Sequence, residues 1–140
     1  QIDTPDRVYH FPSTLFVADF IGNPKVNLMQ GWVSGKNVVD IGKFNIPVKT
    51  KNQTGDVVVG IRPEDISIST KAEDGAIEFQ AYSVLPSGAE TTIIARKGDT
   101  ELTVREMGVS KIKMDQKIWL KFHEDDINLY DKTSGNLVNG

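Results

Sequence analysis

Cysteine is absent from the 140 residues, which excludes disulfides, thiolate metal sites and cysteine nucleophiles and fits a cytosolic home. No G-x-x-x-x-G-K-[ST] run occurs, so the chain lacks the successive amides and the lysine that cradle nucleotide phosphates. No apolar stretch is long enough to cross a bilayer as a helix, and the first residues carry no signal-peptide pattern. Aromatics are scarce at 8%, and 16 Lys and Arg are scattered among 19 acids for a formal net charge of −3. No global basic field therefore draws the chain to nucleic acid or to an anionic membrane.

What is present reads as globular. Hydrophobic content of 39% and charged content of 25% suit one ordinary domain with its own core, or one domain with a short appendage. The chain opens on Gln1 rather than methionine, and the expectation is a fragment or a processed chain. Residues 1–24 differ from the rest. Thr4 offers an N-cap, Pro5 a first helical position and Asp6 a favourable charge in the first turn. "PSTLFVADFIG" then predicts a short helix between Pro12 and Gly22. Its Leu15, Phe16, Val17, Phe20 and Ile21 cover most of the circumference, and such a helix needs burial on more than one side. Phe11, Leu15, Phe16, Phe20 and Ile21 form a candidate interface. "GNPK" is a breaker, so the predicted boundary divides a helical segment, 1–24, from a second region, 25–140.

From Val26 onward the period becomes two. Phe44, Ile46 and Val48 alternate with polar partners, as do Val57, Val59 and Ile61, then Ile66 and Ile68, then Ile77, Phe79 and Ala81. Leu102 and Val104, then Ile118, Leu120 and Phe122, then Ile127 and Leu129 complete the set. Turn signals separate them at Ser34-Gly35, Thr54-Gly55, Asp74-Gly75, Ser87-Gly88 and Gly98-Asp99. Roughly eight short antiparallel strands at this spacing predict a barrel or sandwich and exclude a parallel βαβ sheet.

Within this pattern "VVVGIRPEDISI", residues 57–68, breaks abruptly. Gly60 permits close backbone approach and Pro63 forbids a ladder bond. Asp65 can accept from a neighbouring amide, and Arg62 and Glu64, two apart, share a face of an extended chain. One reading is a strand corner closed by a local Arg62–Glu64 ion pair. The other has Arg62 grip an anion, but no second basic residue stands beside it. His123-Glu124-Asp125-Asp126 lacks the glycine and the spacing of an oxygen-ligand cation loop and reads as a solvated turn with Asp126 capping the step into "INLY". His10 reads as a hydrogen-bonded histidine at a helix end, and no Ser-His-acid grouping is visible in Ser67, Ser69 and Thr70. Trp32 and Trp119 invite a stacking role. Trp119 is out of phase with Ile118 and Leu120, so it faces the other side of its strand as a candidate interaction anchor.

Four stretches in order carry a resemblance. "GIRPEDISI" resembles the most characteristic motif of the C-terminal regulatory domain, of the TOBE class and built from OB-like barrels, in ABC importer ATPase subunits of the maltose and glycerol-3-phosphate type. "TPDRVYHFPSTLFVADFIGNPKVNLM" resembles the exit of that family's nucleotide-binding domain into the regulatory domain. "YSVLPSGAETTIIAR" resembles its E-x-L-G-x-E-T hairpin, with Gly88, Glu90 and Thr91 in register, and "WLKFHEDDINLYDKTSG" its closing strand pair. Pro86-Ser87 stands where Leu-Gly is usual, and His123-Glu124-Asp125 where Pro-Glu is expected. The resemblance implies an OB-like barrel behind an N-terminal helical segment, with 1–24 as the tail of a missing nucleotide-binding domain. It also implies a non-catalytic regulatory and dimerisation role, since the Walker B acid, the ABC signature and the switch histidine are missing as well as the P-loop. Cofactors would be absent here, with ATP and Mg belonging to the parent subunit. The expected partners are a second copy, the parent ATPase domain and the importer's membrane subunits, at the inner face of the cell membrane without insertion and without nucleic acid. The alternative is a stand-alone OB-type binder of single-stranded nucleic acid, which calls for a positive groove with interleaved aromatics.

Overall fold

The computed structural model describes residues 26–50, 54–108 and 110–138. The predicted helices between Thr4 and Gly22, and the boundary at 24, lie outside them. Ten strands follow in chain order: β1 (Asn27–Ser34), β2 (Val38–Asp40), β3 (Asn45–Pro47), β4 (Thr54–Ile61), β5 (Ser67–Ser69), β6 (Ile77–Ser87), β7 (Glu90–Lys97), β8 (Thr100–Met107), β9 (Lys117–Lys121) and β10 (Asn128–Asp131). The fold is mainly β, as the alternation predicts, and OB-like, as the resemblance implies. The strand count exceeds the expected eight or so because β1, β2 and β7 carry no clear alternation in the sequence; β2 is only three residues, too short to show a period. Thr54-Gly55 is not a turn but the first two rungs of β4, facing Ser34 and Val33.

The described residues form two compact units, divided at Arg62/Pro63 and Phe122/His123. The first holds a sheet of order β10-β4-β1-β2-β3, all neighbours antiparallel. Because side chains alternate across a strand, Met29 and Val33 of β1 meet Val57 and Val59 of β4 and Leu129 of β10 on one buried face. Val39, Phe44, Ile46 and Val48 complete that core. Ile61 and Ile127 are buried at its margin.

The second unit holds a sheet of order β5-β9-β6-β7-β8. Phe79, Ala81, Ile93, Ala95, Leu102, Val104, Ile118 and Leu120 line its buried face. Its two central hairpins are tight. Gly88 (φ 61°) and Gly98 (φ 57°) take the first place of two-residue loops. The second place, Ala89 or Asp99, keeps an ordinary negative φ, the pattern of a type II′ turn that matches strand twist. Ser87 thus faces Glu90, and Lys97 faces Thr100.

The two crossings between the units are built alike. After β4 the chain makes a single-turn 3-10 helix at Pro63–Asp65 and enters β5; after β9 it makes another at Glu124–Asp126 and enters β10. β5 then pairs with β9, and β10 with β4. Ser67↔Lys121, Ile68↔Leu120 and Ser69↔Trp119 in one correspond to Asn128↔Gly60, Leu129↔Val59 and Tyr130↔Val58 in the other. The two pairings are one pattern displaced by 61 residues, carrying 67 to 128 and 60 to 121. Behind it lies a sequence echo, Ile61-Arg62-Pro63-Glu64-Asp65-Ile66 and Phe122-His123-Glu124-Asp125-Asp126-Ile127.

Close approach also fixes the first sheet. A Cβ at Gly31 would stand 2.6 Å from Val39 Cγ2 and 3.1 Å from Ile41 Cδ1, and Val39 is fully buried. Gly31→Ala should therefore cost about 1–3 kcal/mol of stability in urea unfolding. Adding Val39→Ala removes the obstructing methyl, so the double variant should be less destabilised than the sum of the singles by about 0.5 kcal/mol or more.

Candidate functional site

The "GIRPED" corner is where the chain leaves the first unit. Gly60 is needed for space: a Cβ there would meet Tyr130 Cε2 at 2.9 Å and Val26 Cγ1 at 3.4 Å. The Tyr130 ring lies against bare backbone and is fully buried. Burial pushes its phenol pKa up to about 12, opposed by the nearby Arg62 guanidinium and by a hydrogen bond with Asn128. Arg62 thus contributes its charge beside a buried hydroxyl of its own unit. Pro63 is buried and begins the second unit, where its 3-10 turn packs on β8. Glu64 is exposed, and among the described residues no ion pair joins it to Arg62. The equivalent turn, Glu124–Asp126, is exposed throughout. Its corner is closed by backbone, the Asp126 amide donating to the His123 carbonyl at 2.9 Å, where the sequence suggested the Asp126 side chain. Asp125 pairs with Lys49, and that bond raises the lysine's pKa.

In the second unit, Glu90 follows the Gly88 turn and places its carboxylate 3.3 Å from Arg105 Nε. The contact is an ion pair without hydrogen-bond geometry, and Nε is buried. Arg105 closes the outer side of β8 while Thr91, on the buried face, donates its hydroxyl to the Gly108 carbonyl at 3.0 Å. Trp119 shares a rung with Ser69 and Glu78 on the face opposite Ile118 and Leu120, half-buried. Phe11, Leu15, Phe16, Phe20 and Ile21 lie outside the described residues.

A shallow groove of about 330 Å³ runs beside Glu78, Gln80, Arg96, Lys97, Asp115 and Lys117. Two of its cations are engaged by neighbouring groups. Arg96 donates to Glu101 at 2.8 Å and lies 3.4 Å from the centre of the Tyr82 ring, a cation–π stack. Lys97 donates to the Glu78 carbonyl at 3.3 Å. Three cations against two carboxylates do not make the continuous positive track that a nucleic-acid strand requires. Among the described residues no three or more His, Asp or Glu gather as a metal site.

Sequence reading missed strands β1, β2 and β7 and the pairing of the two crossings. Strand β1 was hidden because Leu28 and Trp32 put apolar residues on the outward phase while Gly31 thinned the inward one; its burial nonetheless alternates. The paired crossings were hidden because only Asp65/Asp126 and Ile66/Ile127 are identical, although an acid pair followed by Ile, a polar residue and an apolar one recurs in both.

These features match known proteins. Residues 22–66, spanning β1 to the "GIRPED" corner, match the model of the MalK OB fold domain family. The chain belongs to the MalK-type OB fold domains. It is 35% identical over 149 residues to the xylose/arabinose import ATP-binding protein XacK of Haloferax volcanii, across 99% of this chain and 38% of that protein. To the sn-glycerol-3-phosphate import ATP-binding protein UgpC of Escherichia coli K12 it is 33% identical over 144 residues, across 99% of this chain and 40% of that protein. The chain therefore spans about two fifths of the curated relatives it matches, and what it shares is their C-terminal OB region, not the catalytic part. A solved structure of the cytoplasmic molybdate-binding protein ModG shares the fold, with a TM-score of 0.61 at 12% identity over 74% of this chain and 94% of that one. Among the described residues, no helix of this MalK-type domain is long and apolar enough to cross a membrane.

The buried Tyr130 makes a pH prediction. A folded-state pKa near 12, above the ordinary 10, means that the unfolded chain ionises first. Stability from this phenol is complete below pH 10 and is lost as pH climbs towards 12. Absorbance titration at alkaline pH should show one tyrosine ionising only with unfolding, and Tyr130→Phe should abolish that late component.

Proposed function

We propose that the chain is the regulatory and dimerisation domain of the ATP-binding subunit of a carbohydrate-type ABC importer and has no catalytic activity of its own. The observation that carries this is the alignment of nearly the whole chain with about two fifths of two importers' ATP-binding proteins, combined with the absence of a phosphate-cradling loop from its sequence. On this reading residues 1–24 are the tail of a nucleotide-binding domain, and residues 25–140 hang from it as a regulatory module. ATP and Mg are held by the parent's motor, which works with the importer's membrane subunits at the cytoplasmic face. The OB-like units supply a stiff body on which two copies of the subunit meet, with Phe11, Leu15, Phe16, Phe20 and Ile21 at or near the contact. Relatives named for pentoses and for glycerol phosphate support small polyols and sugars as the transported class.

Two measurements check the proposal. Calorimetric titration with Mg-ATP should give no binding at micromolar concentrations. Sedimentation at tens of micromolar, a working range for weak dimers, should show a dimer for the full chain and a monomer for a form starting at Pro24. Micromolar nucleotide affinity would overturn the non-catalytic reading, and a monomeric full chain would overturn the dimerisation role.

A further inference from the structure

The outward face of the first unit's sheet carries a feature that the importer reading does not use. Among the described residues, Leu28, Trp32 and Val38 are the exposed large hydrophobics of that unit, at 38%, 50% and 39% of full exposure. All three point the same way. Leu28 and Trp32 share a phase of β1, Trp32 faces Asp40 across the β1–β2 ladder, and Val38 shares the phase of Asp40. Trp32 also faces Asp56 of β4 on its other side.

Directly opposed residues in an antiparallel pair have Cβ atoms about 4.5–5.5 Å apart. The half-exposed indole therefore stands in a row between two carboxylates, both on exposed residues. Asp40 Oδ1 accepts from the Gly42 amide at 2.8 Å, and among the described residues nothing donates to its second oxygen. Among the described residues neither Asp40 nor Asp56 has a cationic partner. The indole's electron-rich face and two carboxylates attract the same kind of group, a cation. Tryptophan is also the residue type that most often anchors protein contacts. On the same face Tyr130, on the rung of Val58 and Gln30, is fully buried, so the exposed stretch is the one around Trp32, Val38, Asp40 and Asp56.

We propose that the Asp56–Trp32–Asp40 row is a docking site for an arginine-bearing segment of a partner protein. A guanidinium stacks flat on the indole and donates to one or both flanking carboxylates, while Leu28 and Val38 receive the apolar neighbours of that arginine. Stacking and planar donation favour arginine over lysine. This rests on the sheet face alone and does not depend on the importer reading.

The test is a titration of the full chain with octa-arginine at low salt, followed through the two indole N–H signals in NMR and assigned with Trp32→Phe. The Trp32 signal should move and that of Trp119 should not. Trp32→Ala should weaken binding at least about five-fold, and Trp32→Phe less. Asp40→Asn with Asp56→Asn should weaken it by a similar factor and flatten its salt dependence. Neutralising Glu73 and Asp74, exposed acids of the second unit, should change nothing, and octa-lysine should bind more weakly. Affinity that falls equally with the Glu73/Asp74 variant, or that survives Trp32→Ala in a variant with unchanged unfolding midpoint, would overturn the proposal. So would a Trp32 signal that responds to maltoheptaose and not to octa-arginine, which would make the row a saccharide platform.

Discussion

Strand β10 reaches β4 only after the chain has left the first unit at Arg62, built the whole second unit and returned at His123. Closing so long a loop carries an entropic cost before any ladder bond rewards it. The second unit removes most of that cost, because Ser67↔Lys121 pairs the first strand after the exit with the last strand before the return. Once β5 lies on β9, the two ends that must meet as β4 and β10 are a few residues from a closed rung. The same holds in reverse, since Asn128↔Gly60 pairs the flanks of the other gap. Each crossing thus shortens the search of the other.

The side chains at the β4–β10 rungs follow from that demand. Tyr130 fills the space above Gly60, where a Cβ would come to 2.9 Å, so a full aromatic ring is buried at the edge of the sheet without displacing β4. Edge strands invite unwanted pairing, and β10 is an edge in this sheet. Its free side is partly occupied by the chain that follows, through the Tyr130↔Leu137 bridge and the Val138 amide donating to the Leu129 carbonyl at 2.8 Å. The turn between them is set by Asp131, whose carboxylate accepts from the Thr133 and Ser134 amides and is held below its ordinary pKa by them. The same face carries the Trp32 row further along, since Tyr130 shares a rung with Val58 and Gln30, and the sheet is stiffened by Gly31 letting β2 close on β1.

The core was legible in most runs where one face is apolar and the other polar, although Ile68 and Ile77 of the same pattern are only half-buried. Phe44, Ile46, Val48, Val57, Val59, Ile61, Phe79, Ala81, Leu102, Val104, Ile118, Leu120, Phe122, Ile127 and Leu129 all alternate in the sequence and are all buried. Legibility failed where both faces matter, as in β1 with its outward Leu28 and Trp32, and in β7, whose Ile93 and Ile94 sit on opposite faces. Turn chemistry was legible at Gly88 and Gly98 but misled at Gly55, where a positive φ of 100° occurs within a paired strand. The environment of Arg62 could not be read locally, because Tyr130 is far along the chain and arrives only by the second crossing.

Native-state amide hydrogen exchange in mild denaturant tests this mutual closure most directly. Amides of β4 and β10 should open together with those of β5 and β9, with one common dependence on denaturant, as a single cooperative unit. Protection that persists across β4 and β10 after β5 and β9 have opened would contradict it, since each pairing would then stand without the other.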